Sequence, residues 1–111
     1  MKAVPLHEAE DLYVAALLRS YLDLPATPDR ARTADRVLAR SLFTQQVPLD
    51  IVCAAFLLAS ARRTFRPPDA SPLAPVRSLH YFLPVILELR LSPPDNGYID
   101  YLRTRLSCRQ P

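Results

Sequence analysis

The scarcest residue type in this 111-residue sequence is glycine, which occurs once, against twelve prolines. Tight β-hairpins favour Asn-Gly or Gly-X turns, so a chain with one glycine is a poor candidate for a β-sheet protein. A glycine-rich phosphate loop is excluded for the same reason. Because proline suits the first turn of a helix and stops the helix before it, the abundance of proline favours an all-α fold.

Tryptophan is absent, and histidine and cysteine occur twice each. His80 is a lone histidine in an apolar segment, and no pair of histidines or cysteines has the spacing of a metal site. Acids, bases and nucleophiles that catalysis requires are therefore scarce. We expect a protein that is not an enzyme, with no catalytic residue, no metal and no cofactor.

Long hydrophobic runs are also lacking. The main apolar run, "IVCAAFLLA" at residues 51–59, is bracketed by Asp50 and Arg62 and falls well short of the roughly 20 residues that span a bilayer. We expect no membrane partner. Because no signal peptide precedes the two cysteines, a reducing cytoplasm is the expected location, and Cys53 is expected to be a small core residue.

The composition fits one globular domain covering residues 1–111, since half of the residues are apolar and 23% are charged. Helical spacing of apolar residues, interrupted by prolines, predicts a compact all-α bundle of about five helices. The second helix begins at Thr27 or Thr33, since both hydroxyls are candidate caps. Its expected inward face consists of Ala34, Val37, Leu38, Ser41 and Leu42.

The third helix, residues 48–65, is apolar nearly all round and is expected to be the central buried helix. The fourth is expected to begin at Pro75. Inside it, Pro84 removes the hydrogen bond to the carbonyl of His80, which predicts a kink or a break there. Residues 92–97, "SPPDNG", are expected to form a loop. A short fifth helix follows, with three inward residues: Ile99, Leu102 and Leu106.

Positive charge is carried by thirteen arginines and one lysine. Residues 1–29 sum to −3, residues 30–66 to +5 and residues 67–111 to +1. A basic middle favours polyanions without identifying one, and a GC-rich bacterial genome explains the arginine richness equally well. Arginine recurs every fourth residue opposite the apolar face of the second helix: Arg32, Arg36 and Arg40. This stripe is either a solvated helix face or a second phosphate-binding patch.

A further group of arginines surrounds the proline-rich segment after the third helix. Arg62 and Arg63 lie at the end of that helix, where cations complement the helix dipole, which is a structural role. Arg66 and Arg77 lie on either side of a connection stiffened by proline. If this connection packs the fourth helix on the third, the four arginines converge near one end of the domain. Grouped guanidinium groups bind several phosphates bidentately.

Tyrosines accompany arginine in the last helix. Tyr98 and Tyr101 lie with Arg105 on a flank beside the apolar face. Aromatic rings interleaved with arginine suit stacking on unpaired bases. Partly buried packing with the hydroxyl outward is the alternative.

The order of segments in the second half resembles a known family. After the basic end of the third helix, "SLHYFLPVILEL" is followed by a loop and "YIDYLRTRL". Over roughly residues 48–105 this is similar to the helical C-terminal domain of DnaD-type replication-initiation and helicase-loading proteins. In that family a tyrosine begins an aliphatic helix with an Ile-type residue four positions later, and a following segment helps to bind DNA. Tyr81 and Val85 occupy those places here, although Pro84 interrupts the pattern and residues 1–47 lie outside it. The chain also resembles small helical proteins of bacterial mobile elements.

These observations predict a non-enzymatic accessory module that binds or accompanies nucleic acid, DNA more than RNA, in a replication, transposition or defence assembly. The alternative is a protein-interaction subunit or a homodimer, whose acidic first helix meets the basic middle of a neighbour or docks on a larger partner. The residues expected to contact nucleic acid are Arg62, Arg63, Arg66, Arg77, Arg32, Arg36, Arg40, Tyr98, Tyr101 and Arg105.

Overall fold

A computed structural model of the protein describes residues 6–109, with side chains over residues 7–105. It is an all-α bundle of five helices, as the sequence predicts, and no strand occurs within the described range. The helices are α1 (Leu6–Leu22), α2 (Thr33–Thr44), α3 (Leu49–Thr64), α4 (Leu83–Leu91) and α5 (Asn96–Arg109), with a 3-10 turn (Leu79–Phe82) directly before α4. None of these helices has the length and apolar character needed to cross a membrane.

Helix α3 is the buried centre of the bundle. Pro48 precedes it, Asp50 lies in its first turn, and Arg62 and Arg63 lie in its last, in agreement with the sequence. Residues 54–56 and 58–61 are all buried. Helices α1, α4 and α5 and the 3-10 turn all contact α3. Because buried residues follow one another without a polar gap, α3 is stabilised only when neighbours cover it on every side.

Three aromatic rings join α1, α3 and the 3-10 turn. Tyr21, Phe56 and Phe82 are each at most 2% exposed. The ring centroids of Phe56 and Phe82 are 5.1 Å apart, and those of Tyr21 and Phe82 are 6.0 Å apart, both in edge-to-face arrangement. Such pairs contribute about 0.5–1.5 kcal/mol each beyond the apolar area that they bury. The trio therefore fixes the 3-10 turn against the first and third helices.

A buried carboxylate ties α2 to the same turn. Asp35 is only 1% exposed. Its Oδ2 accepts the backbone N–H of Arg32 at 2.9 Å, which closes the start of α2. Its Oδ1 accepts the backbone N–H of Leu79 at 2.9 Å, across 44 residues of sequence. Burying a carboxylate is unfavourable unless hydrogen bonds replace its water, and these two bonds do so.

The position of Asp35 explains why the predicted inward face of α2 is wrong by one residue. The buried residues of the helix are Asp35, Leu38, Ala39 and Leu42. Two residues of the expected face are outside, since Ala34 is exposed and Val37 is 58% exposed. Asp35 is not part of the expected apolar face, whereas its bonds to Arg32 and Leu79 turn that edge of the helix inward.

Of the two expected starting points for α2, the later one is correct, since the helix begins at Thr33, but its N-cap is Arg32 and not the threonine. The hydroxyl of Thr27 bonds back toward the end of α1 instead, because its Oγ1 lies 2.6 Å from the carbonyl of Leu24 and 3.4 Å from that of Leu22, the last residue of the helix. Nearby, Ala26 has a positive φ of 62°. In a chain whose single glycine lies elsewhere, an alanine takes this left-handed position despite its steric cost.

The fourth helix begins later than predicted. Pro75 lies in an irregular connection, and α-helix begins only at Leu83, after the 3-10 turn. The backbone N–H of Val76 donates to the carbonyl of Ala26 at 2.8 Å, which holds the connection against the α1–α2 loop. Pro84 then falls in the first turn of α4, where its missing N–H costs no helical hydrogen bond. A kink at Pro84 stays a prediction.

Helix α5 begins inside the expected loop. The side chain of Asp95 accepts the backbone N–H of Gly97 at 2.6 Å, so Asp95 caps the helix and Asn96 is already its first residue. Leu102 is buried and Ile99 is half-buried against the core, as expected. The expected inward position of Leu106 concerns a side chain outside the described range.

Replacing Asp35 with alanine removes both acceptors at once and leaves the N–H of Leu79 buried and unpaired. We expect the free energy of unfolding to fall by about 2–4 kcal/mol. Urea unfolding followed by circular dichroism measures this. Asp29→Ala, at an exposed position in the loop before α2, is the matched control and should change stability by less than about 0.5 kcal/mol. Equal effects of the two substitutions would contradict the role given to Asp35.

Two tyrosines of α1 offer a paired test. Burial raises the pKa of Tyr13 and of Tyr21 to about 12 in each case. Only Tyr13 has an acceptor, since its Oη donates to the carbonyl of Val47 at 2.8 Å. The buried Oη of Tyr21 has no hydrogen-bond partner among the described residues. We expect Tyr13→Phe to cost about 1 kcal/mol and Tyr21→Phe to be neutral or stabilising, by thermal unfolding. The reverse order would refute the assignment.

Candidate functional site

A pocket of about 300 Å³ lies between the last turns of α3 and the middle of α5. Four of the residues that the sequence singled out line it: Arg62, Tyr98, Tyr101 and Arg105. The remaining lining is apolar and consists of Leu58, Ala61, Phe65 and Leu102. The bundle therefore brings an arginine of the central helix into one concave site with the tyrosine–arginine flank of the last helix.

Helical periodicity on α5 places its contribution. Tyr98 and Tyr101 are three residues apart and Arg105 follows four residues later, so the three share one flank of the helix. Leu102 points into the core between them. The tyrosines are 45% and 52% exposed. Their rings are inclined by only 23° to each other, with centroids 6.4 Å apart, in an offset stack.

Arg105 is held in place by aromatic rings. Its Nη1 donates to the Oη of Tyr101 at 2.9 Å. Its Cζ lies 4.7 Å from the centroid of the Phe65 ring and 5.7 Å from that of Tyr101. Cation–π attraction of this kind orients a guanidinium without neutralising its charge. Arg105 therefore presents a positioned cation at the rim of the pocket.

Arg62, by contrast, has a carboxylate partner. Its Nη1 and Nη2 donate to the two oxygens of Glu88 at 3.0 and 2.9 Å, a bidentate pair between α3 and α4. The hydrogen bonds with Arg62 lower the pKa of Glu88, and the same bonds raise the pKa of Arg62. Both side chains are about half exposed, so solvent and salt screen the pair.

Arg63 and Arg66 hold the connection that follows α3. Arg63 donates to the Oη of Tyr81 at 3.0 Å and to the carbonyl of Ala74 at 2.9 Å. Arg66 donates to the carbonyl of Ser71 at 2.6 Å. These carbonyls lie in a segment without regular structure, where side chains must replace backbone partners. Because these acceptors are neutral, they do not compensate the positive charge of either guanidinium.

Arg77 is placed differently from the other arginines of its group. It is exposed, and within residues 7–105 it makes no ion pair or hydrogen bond. Its segment is fixed to α2 through Leu79 and Asp35. The backbone around Arg77 therefore lies by the start of α2, and within residues 7–105 its side chain makes no hydrogen bond or ion pair with a residue of α3.

The basic stripe of α2 is exposed along its length, at Arg32, Arg36 and Arg40. The last of these has an acidic neighbour on the first helix, since the Nε of Arg40 lies 3.8 Å from Oε1 of Glu10. Helices α1 and α2 pack against each other. The contact between Arg40 and Glu10 thus compensates part of the charge difference between the first and second helices.

The opposite flank of α5 has a different chemistry. A pocket of about 450 Å³ there is lined by Asp50, Asp100 and Cys53, among others. Arg103 partly compensates the negative charge of these aspartates, since its Nη1 lies 3.6 Å from the Oδ1 of Asp100. Cys53 is half-buried rather than a fully buried core residue, with its Sγ 3.9 Å from the Oγ of Ser20. In the described part of the chain no three His, Cys, Asp or Glu side chains group as metal ligands.

A third pocket, of about 510 Å³, opens between α1, the end of α2 and the start of α3. It is lined mainly by apolar and aromatic groups, including Tyr13 and Phe43, whose ring centroids are 5.3 Å apart. Arginine and exposed tyrosine are absent from its lining. A fourth pocket, of about 200 Å³, includes Arg63 but none of the other predicted residues. Among the described pockets, the one between α3 and α5 is therefore where most of the predicted residues meet.

Two residues of this site were missed from the sequence. Phe65 directly follows the last turn of α3. Its neighbour Arg66 in "TFR" was a weak signal of a ring beside a cation, although the cation that the ring meets is Arg105. Glu88 lies 26 residues from Arg62. Only the packing of α4 on α3 reveals that pair, and no local spacing indicates it.

Comparison of the chain with protein-family models, with curated proteins and with solved structures found no match. The resemblance of residues 48–105 to DnaD-type domains stays a prediction. The site is defined by its geometry. It consists of two stacked tyrosines, one arginine held by aromatic rings, and one arginine paired with a carboxylate.

The Arg62–Glu88 pair leads to a testable prediction about the titration of Glu88. Because the pKa of Glu88 is lowered in the folded protein, the stabilisation from this pair is present above the unfolded pKa and is lost as the pH falls through the folded one. We expect Arg62→Gln to raise the pKa of Glu88, measured by carboxyl ¹³C NMR. Arg90→Gln, which removes a charge from the same helix as Glu88 and a contact to Gln45, should leave it nearly unchanged. An unaltered Glu88 titration in the Arg62 variant would contradict the pairing.

Proposed function

We propose that the protein is a non-enzymatic accessory module that binds nucleic acid by contacting phosphates. The contacts are made by the α3–α5 basic surface, which we define as Arg62, Arg63, Arg66 and Arg105 with Tyr98 and Tyr101. The observation that carries this proposal is the meeting of Arg62 and Arg105 in one pocket. They belong to different helices and are joined there by exposed aromatic rings.

The charge state of this surface supports phosphate binding. Of its four arginines, Arg63, Arg66 and Arg105 bond only to neutral oxygens in the contacts described. Each guanidinium has five N–H donors, and these bonds use one or two of them. A phosphate therefore finds free donors that are already oriented. Orientation matters because an arginine that is held in place loses less side-chain entropy on binding.

Arg62 contributes in a different way. Glu88 presents two oxygens to its guanidinium in the fork geometry that a phosphate also takes. A phosphate arriving at the pocket therefore competes with Glu88 for the same donors. We propose that Arg62 contributes less to affinity than its neighbours do while Glu88 is ionised.

The setting of this function follows from the resemblance to DnaD-type helicase-loading domains. In such a setting the partner is DNA rather than RNA, and the module serves a replication, transposition or defence assembly in a bacterial cytoplasm. The α2 stripe of Arg32, Arg36 and Arg40, with Arg77 beside the start of that helix, provides a second patch for the phosphate backbone. Its contribution is expected to be smaller, because Arg40 is near Glu10.

A protein-interaction subunit is the second candidate. One observation favours it: Leu87 and Leu91, one turn apart on α4, are 41% and 88% exposed. Exposed apolar neighbours mark contact surfaces when they are contiguous. Sedimentation equilibrium without nucleic acid separates the cases, since a monomer has a mass of 12.5 kDa. A dimer that Leu87→Lys and Leu91→Lys dissociate would support this candidate.

Salt dependence tests the phosphate proposal. The logarithm of the affinity should fall linearly with the logarithm of the salt concentration, by about 0.9 per phosphate neutralised on a duplex and about 0.7 on a single strand. We expect the triple variant Arg63→Gln, Arg66→Gln and Arg105→Gln to lower this slope by about 2 to 3 units. Fluorescence anisotropy with labelled oligonucleotides over a salt series measures it.

The matched control removes the same charge from other faces, with Arg19→Gln, Arg90→Gln and Arg103→Gln. Because net charge acts over the whole surface, a small uniform loss of affinity is expected here, with the slope nearly preserved. Equal slopes in the two triple variants would reject the α3–α5 basic surface. Absence of binding to single- or double-stranded oligonucleotides at low salt would reject the proposed function altogether. Circular dichroism checks that both variants keep their helices.

A further inference from the structure

The tyrosines of the α3–α5 basic surface are more exposed than core packing requires. Tyr98 and Tyr101 keep about half of their surface in solvent, whereas Tyr21 is fully buried. The hydroxyl of Tyr101 accepts a hydrogen bond from Arg105, whose Cζ also lies 5.7 Å from the centroid of the Tyr101 ring. Two nearly parallel rings on one helix flank, open to solvent, form a platform on which a further flat group can extend the stack.

The surroundings of the platform match a flat, partly apolar ligand that carries a negative charge at one edge. The inner wall of the pocket is apolar and is provided by Leu58, Ala61 and Leu102. The rim carries Arg105, already fixed over the ring of Phe65. At about 300 Å³ the pocket lies at the lower end of the range of about 300–1,000 Å³ for small-ligand sites. A single nucleobase with its phosphate outside has this distribution of polarity.

We infer that the α3–α5 basic surface selects an unpaired strand, with a base stacked on the Tyr98–Tyr101 platform and its phosphate on Arg105. This inference rests on the proposed function and adds the kind of nucleic acid that is bound. In a duplex the base faces are covered by neighbouring pairs, so a ring platform cannot reach them unless a base is extruded. In a single strand every base has a free face, and stacking on aromatic side chains tolerates any sequence.

Neither the arginines alone nor a general basic surface predicts this selectivity. Phosphate contacts without stacking favour a duplex, whose charge density is higher than that of a single strand. The inference therefore depends on whether base faces are available and not on the charge of the nucleic acid. It is tested by two strands that carry the same number of phosphates and differ only in whether bases are present, with a duplex as the third ligand.

The experiment compares three fluorescein-labelled ligands by anisotropy at one low salt concentration. They are oligothymidylate of about 12 nucleotides, within the span of 4–16 typical of small single-strand sites, an abasic strand of equal length, and a duplex of equal length. With the intact chain we expect the thymidylate strand to bind at least about 5-fold more tightly than the abasic strand, since stacking on one ring alone is worth that factor.

Two double variants separate ring from hydroxyl. Tyr98→Leu with Tyr101→Leu keeps apolar side chains and helix propensity but removes the rings, and should bring the thymidylate strand down to the abasic affinity. Tyr98→Phe with Tyr101→Phe keeps both rings and should retain the preference. If the leucine variant loses its helical circular dichroism, the phenylalanine variant and the comparison of ligands on the intact chain still decide the question.

The outcomes distinguish this inference from the function on which it rests. Equal binding of thymidylate and abasic strands overturns base stacking but leaves phosphate binding intact. Tighter binding of the duplex than of the thymidylate strand, unaffected by the leucine substitutions, also overturns it. If none of the three ligands binds, the proposed function fails and this inference fails with it. A preference for thymidylate that the leucine variant loses and the phenylalanine variant keeps supports it.

Discussion

The nearly complete burial of α3 is the constraint on which the rest of this structure depends. Its residues 54–56 and 58–61 are buried in succession, so α1, α4, α5 and the 3-10 turn must surround it. The charged residues of α3 lie at its two ends. At its C-terminal end they are arginines, which also suit the negative end of the helix dipole. The candidate site follows from this constraint, since α5 covers α3 and carries its tyrosine–arginine flank to the same end.

Covering α3 requires the chain to return after residue 65, and specific contacts direct that return. Arg63 and Arg66 hold the carbonyls of Ala74 and Ser71, and Asp35 then receives the backbone of Leu79. The guanidinium groups at the end of α3 therefore have a structural task and remain charged while performing it. The proposed function assigns phosphate binding to these same residues, so it requires no separate binding element.

Much of the fold could be predicted from the sequence, because the patterns that indicate it lie within single segments. Proline spacing and the apolar run determined helix number and the central position of α3, and helical spacing placed Tyr98, Tyr101 and Arg105 together. What was missed depends on long-range contacts. The face of α2 is rotated by the bonds of Asp35 to residues outside its helix, and the bidentate pairing of Arg62 with Glu88 joins separate helices. Neither contact can be predicted from the periodicity of a single segment.

The central claim is that one end of the bundle, where α3 and α5 meet, binds nucleic acid. The most direct test follows the backbone amides of the ¹⁵N-labelled chain by NMR while oligothymidylate is added at low salt. Our account requires the shifted amides to cluster at residues 62–66 and 98–105, with little change along α1. Shifts confined to the α2 stripe, or to the apolar pocket at the start of α3, would contradict it.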